Sequence, residues 1–167
     1  KMDQKILLNT KLQEGCCMEI SIRKAIIDDI GEIARLHRLS MRTAMPFLPE
    51  IHTPDEDIEY FSKTMFPNTQ MTNAHLGNEK SIYGFSAFSD GWLHHLYVHP
   101  EKQGLRIGSS LLNELMAECS AIDLWAFQRN ENARRFYEKH NFVLVEETDG
   151  ATNEQSEPDV HYAWRRR

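Results

Sequence analysis

The stretch Trp92–Leu115, WLHHLYVHPEKQGLRIGSSLLNEL, constrains this chain more than any other. Trp92 to Val98 reads as a strand, and Pro100 stops it. A helix over Gly108–Ser120 follows, with Leu111, Leu112, Leu115 and Met116 on one face. The turn between them, Gln103-Gly104-Leu105-Arg106-Ile107-Gly108, carries two glycines. A strand-to-helix step of this kind points backbone N–H groups at a common spot in front of the helix, where an anion is welcome. Gly104 and Gly108 let the backbone approach a ligand without a Cβ in the way. Ser109 and Ser110 add hydroxyl donors, and a pyrophosphate suits such a cradle. The chain has neither G-x-x-x-x-G-K-[ST] nor G-x-G-x-x-G, which excludes a Walker P-loop and argues against a dinucleotide fold.

The flanking pattern gives the rest of the architecture. Glu19–Lys24 alternates polar and apolar residues as a half-buried strand does. Ile27, Ile30, Ile33 and Leu36 then take helical spacing. Met45–Pro54 holds three prolines and reads as an irregular loop. Thr53-Pro54-Asp55-Glu56 predicts a helix start, with Thr53 as N-cap, running to about Met65. Strands are predicted over Met71–Leu76, Ser81–Ser89 and Trp92–Val98, with a hairpin at Asp90-Gly91. After the Gly108–Ser120 helix come a strand (Ile122–Phe127), a helix (Asn130–His140) and a strand (Phe142–Glu146). A polar loop over Glu147–Asp159 leads to a last strand, Val160–Trp164. Hairpins followed by β-α-β-α-β imply an α/β fold with a mixed sheet and helices on its faces.

Composition narrows the function. The 167 residues suffice for one domain, expected over residues 18–167, with residues 1–17 as an extension ahead of it. A net charge of −6 argues against a nucleic-acid surface. No apolar run is long enough to cross a membrane, so a soluble, cytoplasmic protein is expected. Cys16, Cys17 and Cys119 show no metal-ligand spacing and fit a reducing compartment. The only histidine cluster is His94, His95 and His99. Regular strand alternation puts His94 and His95 on opposite faces, so no metal site is expected.

The segment resembles the signature of the GCN5-related N-acetyltransferases, Q/R-x-x-G-x-G/A after a strand ending in a V-x-P step. The match runs through Val98-His99-Pro100 and Gln103 to Gly108. A second block, Asn130 to Phe142, resembles the family's N-x-x-A-x-x-F-Y-x-x-x-G-F. The resemblance covers roughly Glu19–Trp164 and implies the acyl-CoA N-acyltransferase fold, with a central, mostly antiparallel sheet flanked by helices. It implies acetyl-CoA as cosubstrate, its pyrophosphate on the amides from Gln103 through Gly104, Leu105, Arg106, Ile107 and Gly108 to Ser109. It also implies a pantetheine arm along Leu96, Tyr97 and Val98, near Asn130 and Ala133. Two positions depart from the pattern. Arg106 stands where Gly is usual, and at φ > 0 it would cost about 1 kcal/mol. Asn141 also replaces a Gly, and Asn tolerates that conformation better.

By the same resemblance, an amine attacks the thioester directly. Tyr137 would protonate the leaving thiolate, and the Val98 N–H would hold the oxyanion. His94, His95 or a water chain would take the amine's proton. The acceptor, a small-molecule amine or a peptide amine, would sit among Met41–Asp55 and Glu147–Asp159; Phe47 and Trp92 fit core packing first and apolar walls of that site second. The acidic residues of the second loop are either a solvated face or a site for a cationic amine. A non-catalytic acyl-CoA-binding module is the alternative, and a homodimer is compatible with either.

Overall fold

A computed structural model describes residues 19–166; the expected extension over residues 1–17 lies outside them. The elements are β1 (Ile20–Lys24), α1 (Ile30–Ala44), α2 (Pro54–Tyr60), α3 (Phe66–Asn68), β2 (Gln70–Leu76), β3 (Gly84–Ser89) and β4 (Trp92–Val98). Then follow α4 (Ile107–Glu118), β5 (Ala121–Phe127), α5 (Glu131–Lys139), β6 (Val143–Glu147) and β7 (Asp159–Arg165). The strands form one seven-stranded sheet in the order β1-β2-β3-β4-β5-β7-β6. Every neighbouring pair is antiparallel except β4 and β5. Those two run parallel and share register only at Trp92↔Asp123. Beyond that pair they part, and the gap is the cleft described below.

Each face of the sheet is covered for a reason written in the helices. The α1 stripe Ile30, Ile33 and Leu36 meets Phe61, Met71, Phe85 and Ala87 in one core cluster. On the opposite face α4 sends Ile107 and Leu111 onto Ala74 and Leu76. Its Leu112 and Leu115 pack on Ile122 and Leu124 of β5. Burying a side chain of this size stabilises by about 1.5–3 kcal/mol. A Cβ at Gly84 would lie 2.7 Å from Ile107 Cγ2, so glycine there lets α4 close on β3. Substituting alanine would force the helix away from the sheet.

Local signals set several boundaries. Thr53 caps α2: its side chain accepts from the Glu56 N–H (3.3 Å), and Glu56 accepts from the Thr53 N–H (2.7 Å). Past Tyr60 the helix widens into a π turn, Phe61–Met65, before α3. The strand expected from Ser81 begins only at Gly84. Side chains take the backbone groups ahead of it. The Ile82 N–H donates to Glu32 (2.7 Å), and His75 Nδ1 donates to the Ser81 carbonyl (3.0 Å). The helix expected over Gly108–Ser120 spans Ile107–Glu118.

The alternation expected of His94 and His95 does not hold. Ala87 pairs with His95, but the next partner of β3, Phe88, pairs with Leu93, so His94 is one extra residue in β4. Such a bulge breaks the two-residue period. Accordingly His94 Nε2 lies 2.9 Å from the hydroxyl of Ser89, two residues along β3 from Ala87, the partner of His95. Among the described residues no three ligating side chains converge in a way that would hold a metal ion. No described helix is long and apolar enough to cross a membrane.

Candidate active site

The parting of β4 from β5 creates a cleft of about 480 Å³. His94, Leu96 and Tyr97 line it from β4, and Asn130, Ala133 and Tyr137 from the start of α5 onward. The strand ladder leaves this wall with free backbone groups. His99 N–H donates to the Tyr83 carbonyl (2.8 Å), which makes His99/Tyr83 and Tyr97/Phe85 the hydrogen-bonded pairs. The N–H groups of Leu96 and Val98 therefore point away from β3, towards β5. The Val98 carbonyl is already engaged, accepting from the buried Ser40 hydroxyl at 3.1 Å. Ser40 had no sequence flag, although it continues the buried stripe of α1 after Leu36.

At the end of β4 the chain makes a short 3-10 turn, Pro100–Lys102, and enters the predicted cradle. Gln103, Gly104, Leu105 and Arg106 are exposed. Gly104 has φ 79° and Arg106 φ 67°. Arg106 thus occupies the left-handed region at a cost of about 1 kcal/mol. It is the N-cap of α4 and supplies no side-chain cap. The amides of Ile107, Gly108 and Ser109 in the first helical turn have no intrahelical acceptor. Ile107 can offer only its backbone, because its side chain is buried in the core. Open amides on the β4 edge and an uncapped helix start make a donor set suited to a diphosphate on a peptide-like arm. Asn141, the other replaced glycine, also sits at positive φ (65°), just past α5.

Tyr137 is buried in the cluster with Phe142 and Tyr162, and it faces the cleft. Burial, reinforced by nearby Tyr97, holds its hydroxyl well above the usual tyrosine range. Tyr97 is raised by burial too, and its hydroxyl donates to Met41 Sδ. Asn130 has two jobs at once. Its Oδ1 accepts from Ala133 N–H (3.2 Å) and caps α5, while its amide nitrogen faces Met45 Sδ on the cleft wall.

The two candidate histidines have parted company. His94 faces the cleft, and burial lowers its affinity for a proton, with Asp90 opposing. His95 turns into an aromatic group behind β4. Its ring lies 5.1 Å from Phe61 and 5.3 Å from His37. The Tyr60 hydroxyl is 3.3 Å from its Nε2, and its Nδ1 is enclosed without a partner. Burial, together with His37 and His94, pushes its pKa down to about 3. His99 lies past the cleft, accepting from the Glu101 N–H (3.3 Å).

The polar loop expected to bind the acceptor is tied to itself. Asn153 donates to the Glu157 carbonyl (2.8 Å) and to Asp159 (2.9 Å), and Thr148 donates to Asp159. Gly150 has φ 77°, and a Cβ there would meet the Glu157 carbonyl oxygen at 2.2 Å. Three of its acids meet side chains from elsewhere in the fold. Glu147 pairs with Arg134 (3.3 Å), Glu154 with His52 (2.8 Å) and Glu157 with Arg129 (3.5 Å). What the loop presents to the cleft is mostly neutral: Thr148, Thr152, Asn153 and Gln155, with Asp159 already bonded. Phe47 and Trp92 are packed away from the cleft rather than walling it. Arg129 covers the Phe47 ring at 3.6 Å, and Trp92 stacks on His161 at 5.2 Å. Trp125 lines the cleft instead. Alternation along β5 signals it, since Ile122, Leu124 and Ala126 point into the core and leave Trp125 on the other side.

Residues 74–144 match the family profile described as Acetyltransferase (GNAT) domain. In a comparison with curated proteins no match is found. Among solved structures, the apo form of YjaB from Escherichia coli superposes with a TM-score of 0.74 at 19% identity, over 90% of this chain and 100% of that one. The PaiA N-acetyltransferase of Thermoplasma acidophilum, solved in complex with coenzyme A, gives 0.67 at 18% identity over 89% and 99%. Ard1 of Thermoplasma volcanium gives 0.68 at 18% identity over 89% and 98%. At such identities the likeness speaks for the fold: the chain has the fold of these GNAT structures, and residues 74–144 of it match the GNAT acetyltransferase domain profile.

Proposed function

We propose that this protein is an acetyl-CoA-dependent N-acetyltransferase that passes an acetyl group directly to a primary amine. One observation carries the proposal. The cleft between β4 and β5 carries Tyr137 and His94 on its walls, and the chain leaving β4 beside it runs through a short turn into the uncapped start of α4. Acetyl-CoA, when bound, supplies the activated acyl group as a thioester. Amides from Gln103 to Ser109 hold its pyrophosphate, and the free N–H groups of Leu96 and Val98 with Asn130 orient the arm. His94 takes the proton released as the amine nitrogen forms its bond to the acyl carbon. Tyr137 gives its proton to the sulfur as the C–S bond breaks. Burial suits both roles, keeping Tyr137 protonated and His94 neutral near pH 7. The single domain, the amine acceptor, a homodimer and a cytoplasmic setting belong to the same reading.

The neutral polar rim of Thr152, Asn153 and Gln155 beside Trp125 favours an acceptor with an uncharged polar or flat group next to its amine. Two measurements test the assignment. Acetyl-CoA in excess should raise the melting temperature, because a ligand of the folded state stabilises it. Free thiol should appear when an amine panel is added with it. A melting temperature indifferent to millimolar acetyl-CoA removes the cosubstrate. Binding without thiol release across the panel leaves the non-catalytic acyl-CoA module.

A further inference from the structure

His140 follows α5 and reaches across to α4. Its Nε2 lies 3.1 Å from the hydroxyl of Ser109, and its Nδ1 lies 2.7 Å from the Phe136 carbonyl oxygen. The ring also packs against Phe136 at 4.4 Å. A carbonyl only accepts, so Nδ1 must carry a hydrogen. In the neutral ring Nε2 is then bare, and it accepts from the Ser109 O–H. Ser109 is the third residue of α4, in the turn that forms the candidate pyrophosphate cradle. Its one proton is committed to His140, so towards the cradle it can offer only lone pairs. Protonating the ring reverses this. Nε2–H donates to Ser109 Oγ, and the serine proton becomes free to reach an anion.

We propose that His140 is a positioning residue of the coenzyme site, so that pyrophosphate binding takes up a proton at His140 and turns Ser109 into a donor. This rests on the coenzyme A reading above. The imidazolium also brings a positive charge to within one side chain of the anion, and hydrogen bonds assisted by charge are the stronger kind. On α5 the nearby charges are Arg135, Glu138 and Lys139. Arg135 pairs with Glu131 (3.1 Å), and Glu138 accepts from Tyr162 (2.6 Å). On α4, Arg106 stands at the N-cap, and Glu114 and Glu118 lie more than a turn beyond Ser109. Lys139 adjoins His140 in the chain and Arg106 stands just ahead of Ser109, and an anion in the cradle would balance the charge that a protonated ring adds to them.

The test uses 3′-dephospho-coenzyme A, whose pyrophosphate stays fully ionised across about pH 5 to 8, where imidazole titrates. Calorimetry in two buffers of different ionisation enthalpy counts the protons exchanged. The wild-type protein should take up a proton as it binds, and its affinity should rise about tenfold as pH falls through this window. His140→Asn keeps an N–H donor for the Phe136 carbonyl but cannot ionise. Its affinity should be flat with pH and its proton uptake absent. Ser109→Ala retains His140 and should lose most of the acid-side gain, seen as a changed KM for acetyl-CoA with kcat little altered. Wild-type binding that is flat with pH, or both variants matching the wild-type profile, overturns the inference and leaves the coenzyme reading standing. No binding at any pH overturns both.

Discussion

The two sides of β4 hold the same kinds of group and use them oppositely. On the cleft side, free backbone N–H groups, the buried Tyr137 and His94, bonded to the Ser89 hydroxyl, line an open cleft. Behind the strand, His37 and His95 are also unpaired at Nδ1, but aromatic rings enclose them. An unsatisfied polar group is thus a docking point in one place and a stability cost in the other. Access decides which, and the adjacent His94 and His95 fall one into each environment.

The largest expected effects are on turnover. His94→Ala and Tyr137→Phe should each lower kcat by about 100-fold or more, with melting temperatures close to wild type for Tyr137→Phe. The His94 variant should also lose the acid-side fall in rate that an ionising base produces. Steady-state thiol release across pH checks both, and an unchanged rate in His95→Phe would complete the contrast. If His95→Phe were the inactive variant instead, the two sides of β4 would have to exchange roles.

Next comes acid stability. Burial drives the pKa of His37 down to about 4 and that of His95 to about 3. Both are depressed in the folded state, so their neutral forms favour folding fully above about pH 6.5, the unfolded value. As pH falls from there towards 4, the unfolded chain binds protons that the folded one refuses. Stability should drop by up to about 1.4 kcal/mol per pH unit per histidine. Urea titrations at stepped pH measure this. His37→Phe, which keeps a ring against Phe61 and Tyr97, should flatten the slope; a slope as steep as wild type would mean the enclosure of His37 matters little.

The smallest effect separates the two replaced glycines. Arg106→Gly relieves left-handed strain of about 1 kcal/mol but loosens the unfolded chain, for a net gain of about 0.5 kcal/mol. Asn141→Gly has less strain to relieve and should change nothing measurable or lose slightly. Denaturation midpoints of the two variants give the comparison directly.

Much of this was readable in advance because its causes are local. The Thr53 capping box and the α4 stripe follow from a few neighbouring residues, whereas the positive φ of Arg106 is suggested only by the glycine usual at that place in the resembled signature. The bulge does not, because it depends on how β3 and β4 slide against each other, and Trp92-Leu93-His94-His95 reads as an unbroken strand. The start of β3 was obscured likewise, by side chains arriving from α1 and β2. In the acidic loop, sequence shows the carboxylates but not the distant Arg129, Arg134 and His52 that three of them meet. The role of Ser40 required knowing that α1 crosses the end of β4.

The single pairing of Trp92 with Asp123 also has a mechanical meaning. Backbone bonding ties the two half-sheets at one point, as a pin ties the blades of shears. What transmits load between them is α4, whose Ile107 and Leu111 grip the β1–β4 half while Leu112 and Leu115 grip β5. A protein built this way denatures as one unit only while that helix stays seated. Amide exchange in α4 should therefore set the floor for exchange across both half-sheets.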